Sequence, residues 1–408
     1  MVALTLSGNE ITDATRAAAI QGDGVATPDS SFGMWEAITN KVTNGGFETN
    51  LTDWSKILDT GETLTRITTD YKFGIACMQV DIPAGGTQGA AFGAVVEAVP
   101  QNDIWTASVW LKAKTGGDVG KTVEIYLNAT GSADSSFASC VLTADWKRFS
   151  TTTTFASAGG TGWYVHVRSN AAQAVGILVD GLQVEIRPMA TPYVETDGAT
   201  AARTAARIRT AVAGLVNATQ SWVALRLRMG WVNTADPSAT PTLFQWKDDA
   251  NNLIELRFDT ATDQWKLQRR DGGGTGVVTF ADTFALSDFI TVIAAWDSGN
   301  LKLSIDGSVF TSVAGTNIPA LAATTADIGS SAGSAQHIDS DIKWFACGTG
   351  TLTDAQAATI HAFGNTDPTL QDLPGAPTLV WPANTGTAIA TTEASVAAPW
   401  HQRRGSRW

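Results

Sequence analysis

Period-two alternation, in runs too short for helices and cut by turn residues, is the feature that most constrains this chain. In Trp105–Lys112 the residues Trp105, Ala107, Val109 and Leu111 make one apolar face, and Thr106, Ser108, Trp110 and Lys112 make the other. Val123–Asn128 sets Val123, Ile125 and Leu127 against Glu124, Tyr126 and Asn128. In Trp163–Arg168 the outer set is Tyr164, His166 and Arg168. Trp222–Trp231 sets Val223, Leu225, Leu227, Met229 and Trp231 against Trp222, Ala224, Arg226 and Arg228. A helix buries every third or fourth residue, whereas these segments bury alternate ones, so they predict half-buried strands. The 39 glycines supply the turns that many short strands need. The expected fold class is all-β, with antiparallel sandwiches.

The stretch Ile177–Arg203 divides the chain. Ile177 to Val179 and Leu182 to Ile186 read as one strand kinked at Asp180-Gly181. Pro188 and Pro192 then forbid a central strand or an unbroken helix. The resulting division is an N-terminal arm at 1–40, a first module at 41–190, a linker at 191–203, a second module at 204–366 and a Pro-rich tail at 367–408. A short helix is expected over Thr12–Ile20. In the second module, Asp306-Gly307 predicts a tight hairpin leading into a strand at Ser308–Val313. Thr353 with Gln356 predicts a capping box on a helix ending near Phe363.

The opening of the first module, Asn44-Gly45-Gly46-Phe47-Glu48 followed by Trp54, resembles the first strand of the jelly-roll carbohydrate-binding modules found beside xylanases and cellulases. Trp105–Lys112 is similar to that family's central strand, and Leu178–Leu182 to its closing strand. The resemblance implies a structural calcium joining the first and last strands, with Glu48 and Asp180 at the matching positions. Gly181 stands where the family commonly has a second acid. The second module resembles the laminin-G-like, concanavalin A-type sandwich. The residues that carry this are Ile290–Phe310, Ala326-Asp327-Ile328-Gly329, Ile338–Phe345 and the closing run Thr351–Phe363.

If the strands of the first module share a sheet, Trp110, Tyr126, Tyr164 and His166 sit together among polar groups. Such rings suit a sugar surface or a wet protein interface. For the 15 tryptophans one by one, core filling is weighed ahead of contact. The net charge of −12 argues against a nucleic-acid partner, which needs a basic stripe. Three widely spaced cysteines permit at most one disulfide. No apolar run approaches a membrane span, and residues 1–20 lack the pattern of a secretion leader.

Motifs for chemistry are sparse. Thr115–Thr122 nearly spells a phosphate loop, but Thr115 stands where glycine is required and a strand follows, so a hairpin loop is expected. No acid triplet of the glycosidase type appears. Glu255 and Asp259 share a strand face with Arg257 between them, which predicts a salt-linked surface. Taken whole, the order of parts resembles structural proteins of tailed bacteriophages, of the tail, fibre or head-decoration type. The resemblance implies a non-enzymatic virion surface protein made in the host cytoplasm. Its partners would be sister subunits, with a trimer favoured, other virion proteins and cell-surface glycans. The alternatives are a polysaccharide-degrading enzyme or its accessory module, and a scaffold without ligand. Trp35, Trp381, Trp400 and Trp408 are candidate assembly anchors, Trp381 the one expected to pack on its own chain.

Overall fold

The computed structural model describes residues 4–7, 32–34 and 37–381, apart from 59, 86–87, 158, 170, 172, 204–206, 233–239, 286–287, 332–335, 365–372 and 376. Trp35, Trp400, Trp408 and the expected helix at Thr12–Ile20 lie outside these residues.

In chain order the strands up to the dividing stretch are β1 (Leu4–Ser7), β2 (Phe32–Met34), β3 (Ile38–Asn40), β4 (Trp54–Lys56), β5 (Thr63–Ile67), β6 (Cys77–Ile82) and β7 (Gln88–Val95). They continue with β8 (Ile104–Ala113), β9 (Thr122–Thr130), β10 (Ser135–Val141), β11 (Lys147–Thr154), β12 (Gly162–Ser169) and β13 (Val175–Glu185). Two five-stranded antiparallel sheets, β10-β9-β12-β7-β4 and β11-β8-β13-β6-β5, face each other as a jelly-roll sandwich. The predicted alternation is obeyed. Trp105, Ala107, Val109 and Leu111 from one sheet, and Val123, Ile125, Leu127 and Trp163 from the other, meet in one core. The near-phosphate loop is a short 3-10 turn at Gly116–Asp118 between β8 and β9. The three cysteines are free and buried.

The remaining strands are β14 (Ala201–Arg203), β15 (Arg207–Ala211), β16 (Ser221–Arg228), β17 (Thr242–Lys247), β18 (Leu253–Asp259), β19 (Gln264–Asp271) and β20 (Gly274–Ala281). After them come β21 (Phe289–Trp296), β22 (Asn300–Ile305), β23 (Thr311–Ala314), β24 (Thr325–Ile328), β25 (Ser340–Gly348) and β26 (Pro377–Trp381). They build a second sandwich from a sheet ordered β1-β15-β24-β17-β18-β19-β20 and one ordered β2-β25-β16-β21-β22-β23, with β26 also paired to β25. Its core holds Val223, Leu225, Leu227, Leu256, Phe258, Trp265, Val292 and Phe345. The outer face of the second of these sheets carries the helix α1 (Asp354–Ala362), which packs Ala357 and Ile360 on Trp222, Ala224, Ile293 and Trp344. The capping box forms as predicted, Thr353 accepting from Gln356 N, a contact worth about 1 kcal/mol. The hairpin after Asp306-Gly307 is looser than predicted, because its return strand pairs only from Thr311 to Ala314. Glu255 forms the expected ion pair with Arg257 at 3.0 Å but is buried, held by Gln245 and Gln268, so this is not an exposed surface.

Two features went beyond the sequence division. The strands β1 and β2, which precede the first sandwich, pair with β15 and β25 of the second. The second sandwich is therefore completed from both sides of the first. The stretch after β13 is not a free tether. Thr191 and Thr196 are buried, and Ala201–Arg203 pairs with Ile38–Asn40. The stretch lies over the outer face of β8 and β13, where Thr106 donates to Arg187 O (2.7 Å) and Thr191 donates to Glu185 (2.7 Å). Arg148 on neighbouring β11 donates to Thr191 O (2.6 Å) and Ser108 (2.8 Å). The polar outward positions of these strands are thus satisfied by chain instead of water. Beyond them, Arg187 reaches the fully buried Asp339 of the second sandwich.

Candidate functional site: an aromatic face on the first sandwich

Three of the four predicted ring residues come together and one does not. Tyr126 on β9 lies directly opposite His166 on β12, and Tyr164 is two residues along, opposite Asn128. The Tyr164–His166, Tyr126–His166 and Tyr126–Tyr164 ring centroids are 4.8, 5.7 and 6.1 Å apart. Trp110 belongs to β8, in the opposite sheet, where it is 3% exposed under Phe73 and the Lys72 ammonium. Its expected place beside the tyrosines is corrected. Alternation put it on an outer face, but that face is the covered one.

The open face extends past the predicted residues. Phe137 on the edge strand β10 is opposite Tyr126 and 60% exposed. Its strand, with Phe137 and Ser139 alternating against Ala138 and Cys140, carried a readable period-two signal. Beside the rings, Arg168 pairs with Glu124 at 3.1 Å and lays its guanidinium 4.1 Å from the Tyr126 ring centre. Asn128 donates to the Tyr126 hydroxyl at 2.8 Å. Burial, then Arg168, pushes the His166 imidazole down to about 4. Burial, then Tyr126, pushes the Tyr164 phenol up. At neutral pH both rings are uncharged. The site is an uncharged aromatic platform bordered by an ion pair and an amide, with His166 Nδ1 buried and unpartnered. Aromatic faces carry partial negative charge and attract the C–H faces of sugar rings, and the polar border can fix hydroxyls.

The expected calcium residues are near each other at the rim. Asp180 accepts from the backbone N–H groups of Lys72, Phe73 and Gly181 at 2.7, 2.9 and 2.7 Å. Gly181 has φ +60, and a Cβ there would meet the Phe73 ring at 2.9 Å, so the kink requires glycine. Glu48 accepts from Ile75 N at 2.8 Å, and its other oxygen is buried without a partner. Arg66 donates to the Phe47 carbonyl at 2.7 Å and also to the Glu48 carbonyl. Calcium takes six to eight oxygens. Asp180 is used as a loop clamp, a guanidinium holds the nearby carbonyls, and no group of three or more His, Cys, Asp or Glu among the described residues could hold a metal.

No protein-family model matches the chain, and no curated protein matches it. Among solved structures, the CBM22-1 xylan-binding domain from Paenibacillus barcinonensis Xyn10C is 16% identical, with 36% of this chain and 94% of that one covered, at a TM-score of 0.28. A family 16 carbohydrate binding module is 16% identical, covering 36% and 99%, also at 0.28. The enzymatically active domain of bacteriophage CBA120 tailspike protein 4 is 13% identical, covering 36% of this chain and 21% of that one, at 0.28. At such scores the chain is described by its own topology: all-β, two antiparallel sandwiches, the first a jelly roll.

Proposed function

We propose that this protein is a non-enzymatic, glycan-binding component of a tailed-phage particle surface, its first sandwich engaging sugar through Tyr126, Tyr164, His166 and Phe137. One observation carries the binding reading: rings gather on the open outer face of one sheet, while the opposite sheet's outer face is covered by its own chain. The virion placement and the trimer rest on the sequence resemblance. The test is isothermal titration of the full chain with host surface polysaccharide, beside the Tyr126→Ala and Tyr164→Ala variants. Losing one stacking ring removes about 1.4 kcal/mol, or about tenfold in affinity. Unchanged affinity in both variants refutes the platform, no binding at all supports the scaffold reading, and release of shortened oligosaccharides supports the enzyme. Cosedimentation of the protein with purified particles tests the placement.

A further inference from the structure

A sheet edge is where a β-sandwich leaves backbone groups unpaired. At the edges of the first sandwich's two sheets stand β4, β5, β10 and β11, and the sequence blunts all but one. The strand β4 spans only Trp54–Lys56 and ends on a lysine, β5 carries Arg66, and β11 opens on Lys147 and Arg148. The remaining edge, β10, runs Ser135–Val141 with no charge, no proline and no bulge against β9.

The ladder shows which of its backbone groups are free. Leu142 N donates to Lys121 O, and Leu142 O accepts from Gly120 N, both at 2.9 Å. Hydrogen-bonded and non-hydrogen-bonded positions alternate along an antiparallel pair. Cys140, Ala138 and Ser136 therefore aim their N–H and C=O groups at β9, and Ser135, Phe137, Ser139 and Val141 aim theirs out of the sheet. Among the described residues these outward groups have no partner. The same residues have the exposed side chains of the strand, Phe137 by 60% and Val141 by 51%. From the facing sheet, the Thr151 hydroxyl of β11 donates to Ser136 Oγ at 3.0 Å and pins the strand in place.

We propose that β10 pairs antiparallel with β10 of a second copy of this chain, about a two-fold axis at Ala138. In that register Phe137 lies opposite Ser139 of the second copy, and Ser135 opposite its Val141. Every outward residue thus meets an outward residue, and each such pair exchanges two N–H···O bonds. A slip of one residue sets outward positions against inward ones. Two observations favour a second copy over a foreign strand. Like charges do not meet, because the strand has none and the flanking Asp134 falls opposite Leu142. The two Phe137 rings become diagonal neighbours on one face, about 7–8 Å apart along the sheet and within aromatic reach. Tyr126 lies opposite Phe137, so the two aromatic platforms join into one surface. Two-fold pairing closes at two copies.

The pairing does not depend on sugar binding, and the experiment omits sugar. Sedimentation equilibrium of the full chain from about 1 µM to 1 mM covers the affinities of small interfaces. The mass should rise from one copy to two. Ser139→Pro removes an outward N–H at an edge position that tolerates proline, and Ser139→Lys sets two ammonium groups near each other across the axis. Each should weaken the dimer about tenfold or more and keep the melting temperature of the dilute parent. Ser139→Lys leaves the backbone groups in place and decides the case if the proline variant unfolds. Amide exchange of the parent locates the interface. Protection at Ser135, Phe137, Ser139 and Val141 should rise with protein concentration, while Ala138 and Cys140, already bonded to β9, stay unchanged. The proposal is overturned if the parent is monomeric at every concentration, which leaves the edge to a strand of another protein. It is also overturned if a dimer or trimer persists undiminished in the folded Ser139 variants, or if the outward amides gain no protection as the mass rises.

Discussion

Replacing Arg187 by alanine tests whether the two sandwiches are clamped by a buried charge pair. Arg187 follows β13 of the first sandwich, and Asp339 precedes β25 of the second and is fully buried. Removing one member of such a pair leaves the other desolvated, at about 3–5 kcal/mol. Arg203 also feels the Asp339 charge, so the lower end, about 3 kcal/mol, is expected. With a urea slope of about 1–3 kcal/mol per molar, that loss moves the unfolding midpoint down by about 1–3 M. Tryptophan fluorescence reports it, since Trp105 and Trp163 fill one core and Trp265 and Trp296 the other. The charge-free pair Arg187→Met with Asp339→Asn should recover most of the loss, because neither partner is then left as an unpaired ion. Asparagine also accepts the φ of +45 at position 339. The reasoning is refuted if Arg187→Ala leaves the midpoint unmoved, or if the double variant is no more stable than the single one.

Glu48 should make stability fall as pH rises. Its carboxyl is pushed up to about 7 by burial, against the Ile75 N–H and with the Glu195 and Asp197 charges adding to the rise. A folded pKa above the unfolded value means that the native state holds the proton more tightly, so the contribution is complete below about 4.5 and is lost as pH climbs through about 7. Glu48→Gln should flatten the melting temperature between pH 5 and pH 8; an equal slope in both proteins defeats the assignment. With Asp180 engaged by three backbone N–H groups, adding calcium or a chelator at pH 8 should leave the melting curve of the unmodified chain in place, and a calcium-dependent rise lost in Glu48→Gln would place the ion at Glu48 and Asp180. Deleting residues 1–34 should lower the melting temperature of the second sandwich and promote association, because the edges of β15 and β25 lose paired strands. Unchanged melting and solution mass would show those pairings to be dispensable.

The alternation in Trp105–Lys112, Val123–Asn128 and Trp222–Trp231 was enough to identify strands, their inward faces and the all-β class, because side-chain direction along a strand is a local property. The break at Gly181 and the capping box at Thr353 were legible for the same reason, each being set within a few residues. Alternation does not say which sheet a strand joins, since its hydrogen-bond partners lie far away in sequence. Tyr126 and Trp110 had the same sequence credentials, yet tertiary pairing put one on an open face and the other under Phe73. The cover supplied by Arg187–Thr196, the Arg187–Asp339 clamp and the pairing of β1 and β2 with the second sandwich all join residues more than about forty positions apart. Contacts of that range leave no periodic trace in the chain, and only the folded structure decides them.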